Sequence, residues 1–159
     1  MTEVVVRVID LHIVRWVKKQ PHYLLLHRAK GEMYAGVWQG VTGKLEVGEQ
    51  AWESALRELR EETGLSALHL WTVDQVNFFY EASHDRMNAI PVFGAEVTDE
   101  EVALSKEHDY YQWSAIEEAV KLILWGQQRN GLRAFHDMLT QTREKLRWME
   151  VPLESQTGG

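Results

Sequence analysis

Residues 43–65 read GKLEVGEQAWESALRELREETGL, and the second half of this segment has the pattern of an amphipathic helix. At about 100° per residue, its apolar side chains fall on one face of a helix. These side chains are Ala51, Trp52, Ala55, Leu56 and Leu59. Gly64 follows the last turn, at the position where a left-handed residue commonly ends a helix. The segment therefore predicts a helix that packs one face on a core and ends at Gly64.

A second face of this helix carries three carboxylates, Glu58, Glu61 and Glu62. Spacings of three and four residues make these side chains neighbours, and like charges at such spacings repel. Carboxylates in a last turn also face the negative end of the helix dipole, each effect costing roughly 0.3–1 kcal/mol. A bound divalent cation would remove this conflict. The alternative is an ordinary solvated surface, with ion pairs of Arg57 to Glu53 and Glu61.

The residues around this helix have a fixed spacing. Gly43, Glu49, the pair Arg57-Glu58 and the closing pair Gly64-Leu65 stand in one register. This register resembles the Nudix box, Gly-x5-Glu-x7-Arg-Glu-U-x-Glu-Glu-x-Gly-U with U an aliphatic residue, and every defined position matches. The resemblance implies a Nudix-type α/β/α sandwich with a small mixed sheet, in which the box forms a loop–helix–loop motif. It also implies hydrolysis of a nucleoside diphosphate linked to another group.

The same resemblance implies a role for each matching residue. The three glutamates would bind the metal and act in catalysis, with the Gly43 carbonyl as a further metal ligand. Arg57 would pair with Glu49 and hold the loop against the helix. Carboxylates with no His or Cys nearby suit Mg²⁺, or Mn²⁺, rather than Zn²⁺. Such a cation bridges phosphate oxygens and helps to make a water molecule nucleophilic.

Charged residues outside the box supply further candidates. Glu107 precedes an aromatic strand and is a candidate general base, with an exposed edge-strand charge as an equally weighted alternative. Glu81 and Asp85 are weaker candidates for the same role. The candidates for substrate phosphate binding are Arg28, Lys44 and Arg86, each of which alone is more simply a surface charge. The seven histidines lack the spacing of a metal site and are interpreted as satisfied or exposed.

Residues 38–43 read WQGVTG, where many Nudix proteins carry Pro-Gly-Gly. Together with Glu107-His108 and Trp113, this form is similar to the dihydroneopterin triphosphate/dATP pyrophosphohydrolase branch. The similarity implies hydrolysis of a nucleoside or pterin triphosphate to the monophosphate and pyrophosphate. The alternatives are a dinucleoside polyphosphate or nucleotide-sugar hydrolase, and a module that binds a nucleotide without hydrolysing it. Trp38, Phe79 and Tyr80 are candidates for stacking on a substrate ring, although core packing explains each more simply.

Hydrophobic periodicity predicts the remaining elements. Strands are expected over 4–17, 23–27, 37–43, 67–80, 89–97 and 110–113, which with the helices gives an α/β protein with a mixed sheet. Ser114 and Glu117 have the spacing of a capping box that begins a helix, and this helix is expected to end at Gly126. A last amphipathic helix is expected from Leu132 to Leu146.

Composition limits the remaining classes of function. The 159 residues predict one domain over 1–150 and a flexible tail over 151–159. The chain has no cysteine, so a disulfide framework is impossible and a reducing cytoplasm is the expected location. A net charge of −7 argues against a nucleic-acid duplex as partner, and charges interrupt residues 4–17 too often for a membrane span. The expected partner is a small polyphosphate, and a homodimer stays open.

Overall fold

The computed structural model of the chain describes residues 1–153, in which a mixed β-sheet lies between helices on both faces. The strands are β1 (Glu3–Val5), β2 (Val8–Val17), β3 (Gln20–Arg28), β4 (Trp38–Gln39), β5 (Val41–Lys44), β6 (His69–Glu81), β7 (Arg86–Glu96) and β8 (His108–Ser114). The helices are α1 (Ala51–Thr63), α2 (Ile116–Leu122), α3 (Gly126–Thr140) and α4 (Glu144–Met149), with a 3-10 turn over Ala82–His84. The predicted α/β fold with a mixed sheet is confirmed.

The centre of the sheet is formed by β2 and β7, which run parallel to each other. Strand β6 pairs with β7 in an antiparallel hairpin, and the short β1 lies parallel to the beginning of β7. Both β3 and β5 pair antiparallel with β2, β3 near its end and β5 near its beginning. Strands β4 and β8 then pair with β3. This order places the first glycine of the box, in β5, at the centre of one end of the sheet.

Each face of the sheet has its own apolar core. Helix α1 packs on one face, where Ala55 and Leu59 are fully buried and Trp52 and Leu56 are partly buried. Helices α2 and α3 cover the other face, where Phe135 is fully buried. The apolar face predicted for the box helix is therefore confirmed. Its end is confirmed as well, since Gly64 is left-handed, with φ of 72°, and its N–H donates to the Arg60 carbonyl.

Two of the predicted strands are each divided in two. The strand expected over 4–17 is divided into β1 and β2. Both pair with β7, β1 with residues 86–88 and β2 with residues 92–96, but the register of the pairing changes between them. The strand expected over 37–43 is β4 and β5, because the chain changes its partner from β3 to β2 at Gly40. A Cβ at Gly40 would lie 2.9 Å from the Leu11 carbonyl oxygen, so a larger residue would push the strands apart here.

The helix ends predicted after β8 are wrong. The N-cap of α2 is Ala115, and the Ser114 hydroxyl accepts a hydrogen bond from Gln112 Nε2 instead. Gly126 begins α3 and does not end α2. The chain is extended after Leu122, and Arg129 Nη1 donates to the carbonyls of Ile123 and Leu124 there, at 3.0 and 2.9 Å. The last predicted helix is two helices, α3 and α4, separated by residues 141–143.

The chain continues past α4 along β6. The Val151 N–H donates to the Leu70 carbonyl at 2.8 Å, and Val151 and Leu153 pack partly buried against the α1-side core. The rest of the predicted tail, residues 154–159, lies outside the described residues. Among the helices of residues 1–153, none combines the length and the apolarity that a membrane crossing needs.

Candidate active site

Arg57, in the middle of α1, connects the loop of the box to its helix. Its guanidinium makes a two-point ion pair with Glu49, with Nε–Oε2 at 2.7 Å and Nη2–Oε1 at 3.0 Å. Nη2 also donates to the Lys44 carbonyl at 2.8 Å. Nη1 donates to Glu58 Oε1 at 2.9 Å and to Glu61 Oε2 at 3.1 Å. The Arg57–Glu49 pair expected from the sequence is present, and one side chain also counterbalances two of the three box glutamates.

The carboxyl groups around Arg57 have different proton affinities. Hydrogen bonds from Arg57 lower the pKa of Glu49 to about 2. Burial raises the pKa of Glu58 to about 7, against the lowering effect of Arg57, and the negative charges of Glu62 and Glu61 add to the rise. A buried carboxyl crowded by two others is the electrostatic conflict that a bound cation would relieve.

Gly43 allows β5 to approach α1 closely. A Cβ at this position would lie 2.2 Å from Glu58 Cδ, which no real Cβ contact tolerates. Gly43 faces Ile9 across the β2–β5 ladder, so the strand cannot retreat without breaking the sheet. The first residue of the box is therefore a glycine because the backbone and a carboxylate share this space.

Glu62 lies one turn further along α1 and is held by the segment that leads into β8. Its Oε2 accepts a hydrogen bond from Ser105 Oγ at 2.7 Å and lies 3.1 Å from His108 Nδ1. The other ring nitrogen of His108, Nε2, lies 3.4 Å from Gln39 Nε2. Burial by itself would raise the pKa of Glu62, but the bonds from His108 and Ser105 and the charge of Arg28 bring it below its ordinary value.

Glu107 and Arg28 complete this end of the site. The Glu107 side chain is 45% exposed, and its Oε2 lies 3.6 Å from Arg28 Nη1. Ligand atoms of Glu62, Glu107 and His108 lie within 4.8 Å of one another, the one such set of three His, Asp or Glu side chains within residues 1–153. The structure thus brings Glu107 to the box and adds His108, which the sequence analysis treated as merely satisfied. Its position next to Glu107 was the signal that could have identified it.

The comparisons with known proteins agree with this geometry. A family model described as the NUDIX domain matches residues 7–135. The chain belongs to the Nudix hydrolase family. An asymmetrical bis(5'-nucleosyl)-tetraphosphatase from Mus musculus is 32% identical over 126 residues, which cover 76% of this chain and 82% of the relative. The resemblance inferred from the box is therefore confirmed.

Solved structures show the same Nudix fold. A C. elegans Ap4A hydrolase in a binary complex aligns with a TM-score of 0.68 and 24% identity, covering 85% of this chain and 98% of the other. The E. coli dihydroneopterin triphosphate pyrophosphohydrolase aligns with a TM-score of 0.62 and 22% identity, covering 80% and 93%. At these identities the likeness establishes the fold alone.

Two of the predicted substrate-binding residues, Trp38 and Arg86, have their contacts away from the Nudix carboxylates, and a third, Lys44, has an exposed side chain. Trp38 packs on the face of the sheet that α2 and α3 cover, with its ring 4.9 Å from that of His27. Lys44 is exposed, and its backbone carbonyl accepts a hydrogen bond from Arg57. Arg86 pairs with Glu81 at the β6–β7 turn. Arg28 is the predicted phosphate-binding residue that the structure places beside the box.

The weaker candidates for ring stacking and for the general base lie at the end of the β6–β7 hairpin. Phe79 and Tyr80 are 57% and 47% exposed, so their expected core packing is wrong. They lie in the last residues of β6, opposite Asn88 and Met87, where the hairpin faces solvent. Asp85 accepts hydrogen bonds from Tyr80 Oη at 2.7 Å and Thr2 Oγ1 at 2.8 Å.

The donor set of the Nudix box fits a hard divalent cation. Carboxylate oxygens and a backbone carbonyl are the ligands that Mg²⁺ and Mn²⁺ prefer. The bond from Arg57 goes to Oε1 of Glu58, and the bonds from Ser105 and His108 both go to Oε2 of Glu62. Each carboxylate therefore keeps a second oxygen that these contacts do not use.

Proposed function

We propose that this Nudix chain hydrolyses a phosphoanhydride bond of a nucleoside polyphosphate, with Mg²⁺ or Mn²⁺ as its cation. The observation that carries the proposal is the carboxylate face of α1. Glu58 on this face is bonded by Arg57 and lies against Gly43, and Glu62 is bonded by Ser105 and His108 and lies near the charge of Arg28. The cation would be held by Glu58, Glu61, Glu62 and the Gly43 carbonyl. When bound, it supplies charge neutralisation for the phosphates and activation of water.

Arg57, Arg28 and Glu107 have separate roles in the proposed reaction. Arg57 holds the loop and two glutamates in place and has no direct part in the reaction. Arg28 offers positive charge to a substrate phosphate from a side chain that is 13% exposed. A phosphate that binds Arg28 would compete with Glu107, whose carboxylate would then be free to accept a proton from the attacking water. Glu107 is accordingly the proposed general base.

Two substrate classes rest on different observations. The WQGVTG segment and the Glu107-His108 pair favour a nucleoside or pterin triphosphate, cleaved to the monophosphate and pyrophosphate. The 32% identity with the Mus musculus tetraphosphatase favours a dinucleoside polyphosphate, cleaved to two nucleotides. A binding module without catalysis is disfavoured, because such a module has no need for a crowded set of carboxylates. The domain limits, the cytoplasmic location and a homodimeric assembly stay predictions.

A hydrolysis panel separates the two substrate classes. The purified protein would be incubated with Mg²⁺ and a nucleoside triphosphate, dihydroneopterin triphosphate, a dinucleoside tetraphosphate or a nucleotide sugar. Chromatography of the products and an assay for pyrophosphate would be run on each sample. Pyrophosphate released in equal amount to monophosphate identifies the first class, and two nucleotides without pyrophosphate identify the second. Nucleotide binding with no turnover of any substrate would refute the proposed hydrolysis.

Replacing Glu107 with Gln tests the proposed base. The variant should lower kcat about 100-fold or more, with a much smaller change in KM, because a base acts on the chemical step. Glu81→Gln is the matched control, since Glu81 pairs with Arg86 at the distant hairpin turn. Full kcat in Glu107→Gln would show that its carboxylate is an exposed charge without a role in proton transfer.

A further inference from the structure

The buried carboxylate of Glu62 is bonded by residues that lie far away in the sequence. Ser105 and His108 are 43 and 46 residues from Glu62, and both approach the same oxygen, Oε2. The side chains of Glu62 and His108 are only 8% and 3% exposed. Two donors on one oxygen limit the rotation of the carboxylate and leave its other oxygen, Oε1, outside these bonds.

The ring of His108 is itself oriented by a third residue. Gln39 Nε2 lies 3.4 Å from His108 Nε2, and an amide nitrogen can only donate a hydrogen bond. His108 Nε2 is then the acceptor, which places the ring hydrogen on Nδ1, pointing at Glu62. Gln39 is 4% exposed and lies in β4, the strand that precedes the box. A directed chain of hydrogen bonds thus runs from Gln39 through His108 to Glu62.

We propose that Gln39, Ser105 and His108 form a clamp on Glu62, which fixes Oε2 so that Oε1 is presented to the cation. We call these three residues the Glu62 clamp. The inference rests on the proposed function, because it assigns Glu62 to the metal. His108 and Ser105 are positioning residues: they act through Glu62 and touch neither cation nor substrate. Hydrogen-bonded partners of metal ligands lower the cost of ordering the ligand, and their loss typically weakens metal affinity or activity about 10–100-fold.

The competing interpretation makes His108 a metal ligand together with Glu62 and Glu107. The three side chains have ligand atoms within 4.8 Å of one another, which is compatible with a shared ion. Both ring nitrogens of His108 already have partners, however, and the Glu107 carboxylate lies by Arg28, 3.6 Å from Nη1. Coordination through His108 would break the bond to Gln39 or the bond to Glu62. The geometry therefore favours the clamp.

The test measures Mn²⁺ affinity of the full chain without substrate, by calorimetry and by electron paramagnetic resonance. Ser105→Ala and His108→Ala should each weaken Mn²⁺ binding about 10-fold to 100-fold. His108→Asn should restore most of this loss, because its amide nitrogen can stand where Nδ1 stands and donate to Glu62. Ser83→Ala is the matched control, since Ser83 Oγ bonds His84 Nδ1 at 3.0 Å in an exposed turn away from the box. It should leave Mn²⁺ affinity unchanged.

Three results would overturn the clamp. Unchanged Mn²⁺ affinity in both Ser105→Ala and His108→Ala would show that fixing Oε2 is unimportant. A silent Ser105→Ala with no rescue by His108→Asn would make His108 a direct ligand. Loss of affinity in Ser83→Ala as large as in Ser105→Ala would show a non-specific effect. Melting curves of the metal-free variants identify any that fail to fold, and Ser105→Ala, the smallest change, then decides. If Mn²⁺ affinity follows the expected order but no polyphosphate is hydrolysed, the proposed function fails and the clamp stands.

Discussion

Two polar clusters lie on opposite faces of the same sheet and differ in whether their acidic groups have a positively charged partner. On the α1 face, Arg57 binds three carboxylates, and Glu62 has donors of its own. On the α3 face, β2 presents Asp10 and His12, which alternate with Ile9, Leu11 and Ile13 of the α1-side core and are nevertheless only 4% and 2% exposed. The first cluster has a charged partner for its acids, and the second does not.

Burial opposes charge on both titratable groups of the α3-face cluster, Asp10 and His12. Asp10 accepts hydrogen bonds from Asn77 Nδ2 at 2.8 Å and Gln128 Nε2 at 3.5 Å, yet burial still raises its pKa. Burial lowers the pKa of His12 to about 4. Within residues 1–153, His12 Nε2 and Gln128 Oε1 are buried without a hydrogen-bond partner. Burial without a counter-charge disfavours the charged forms of Asp10 and His12, whereas Arg57 lowers the pKa of Glu49 to about 2 and opposes the effect of burial on Glu58.

The largest expected difference between the clusters is in activity. Glu62→Gln should lower kcat about 100-fold or more, since the carboxylate charge is the property that a cation needs. Asp10→Asn makes the same acid-to-amide change on the other face and should leave kcat within about threefold. Initial rates on the substrate identified by the panel measure both variants. Equal losses would mean that the α3-face cluster also serves the reaction, and the contrast drawn between the faces would fail.

The next effect is on stability and concerns Arg57. Arg57→Ala should lower the free energy of unfolding by roughly 3–4 kcal/mol, because it leaves the mostly buried Glu49 and Glu58 without their charged partner. Urea denaturation without metal measures this loss. Arg60→Ala, an exposed change on the same helix, should cost less than about 0.5 kcal/mol. If Arg57→Ala abolished activity with no change in denaturation midpoint, Arg57 would contact the substrate and its structural assignment would be wrong.

The third effect is the acid sensitivity caused by His12. In the unfolded chain this histidine binds a proton as pH falls through its ordinary pKa of 6.5, whereas in the folded protein it does so only near its lowered pKa of about 4. The unfolded state therefore gains protons first, and stability falls between pH 6.5 and 4 by about 3 kcal/mol. His12→Phe, which retains a ring of similar size, should remove this loss. The difference between the two stability curves over this pH range isolates His12, and parallel curves would contradict its burial as a neutral group.

The smallest expected effect comes from Asp10. At neutral pH, Asp10→Asn should leave the free energy of unfolding unchanged or raise it by up to about 1 kcal/mol, since burial disfavours the charged carboxylate. The new amide can also donate to Gln128 Oε1, which has no partner within residues 1–153. Asp10→Leu should instead cost roughly 1–3 kcal/mol by leaving the buried Asn77 Nδ2 without its acceptor. A loss above about 2 kcal/mol in Asp10→Asn would show that this cluster depends on a negative charge.

The features that could be predicted from the sequence are those that depend on residues close together along the chain. The apolar face of α1 and its end at Gly64 depend on residues within one helix, so periodicity and spacing predict them. The Arg57–Glu49 pair follows from the resemblance to the Nudix box. The bonds from Ser105 and His108 to Glu62 depend on which strands pair, and periodicity contains no information on strand order. The division at Gly40 has the same origin, because the chain changes its partner there from β3 to β2. The division between β1 and β2 accompanies a change of register along their common partner, β7, which periodicity does not show either.

The misplaced helix ends show a different limit. Gly126 was expected to end a helix because glycine favours the left-handed cap position. The carbonyls that follow α2, those of Ile123 and Leu124, instead accept hydrogen bonds from Arg129, a side chain of the next helix, and Gly126 stands at the beginning of α3. A cap supplied from outside a helix cannot be read from the helix itself.

The guanidinium of Arg57 provides positive charge that the Nudix box would otherwise need from a metal ion in order to fold. Because its positive charge already stands among the carboxylates, we expect the loop and helix of the box to assemble without a bound ion. In small zinc domains, by contrast, the binding of the metal supplies the free energy of folding. Here a chelator should stop turnover and leave the chain folded, with a melting temperature lowered only by the loss of the ion's binding free energy. We therefore expect the protein to stay folded when the cation is scarce and to regain activity when the ion returns.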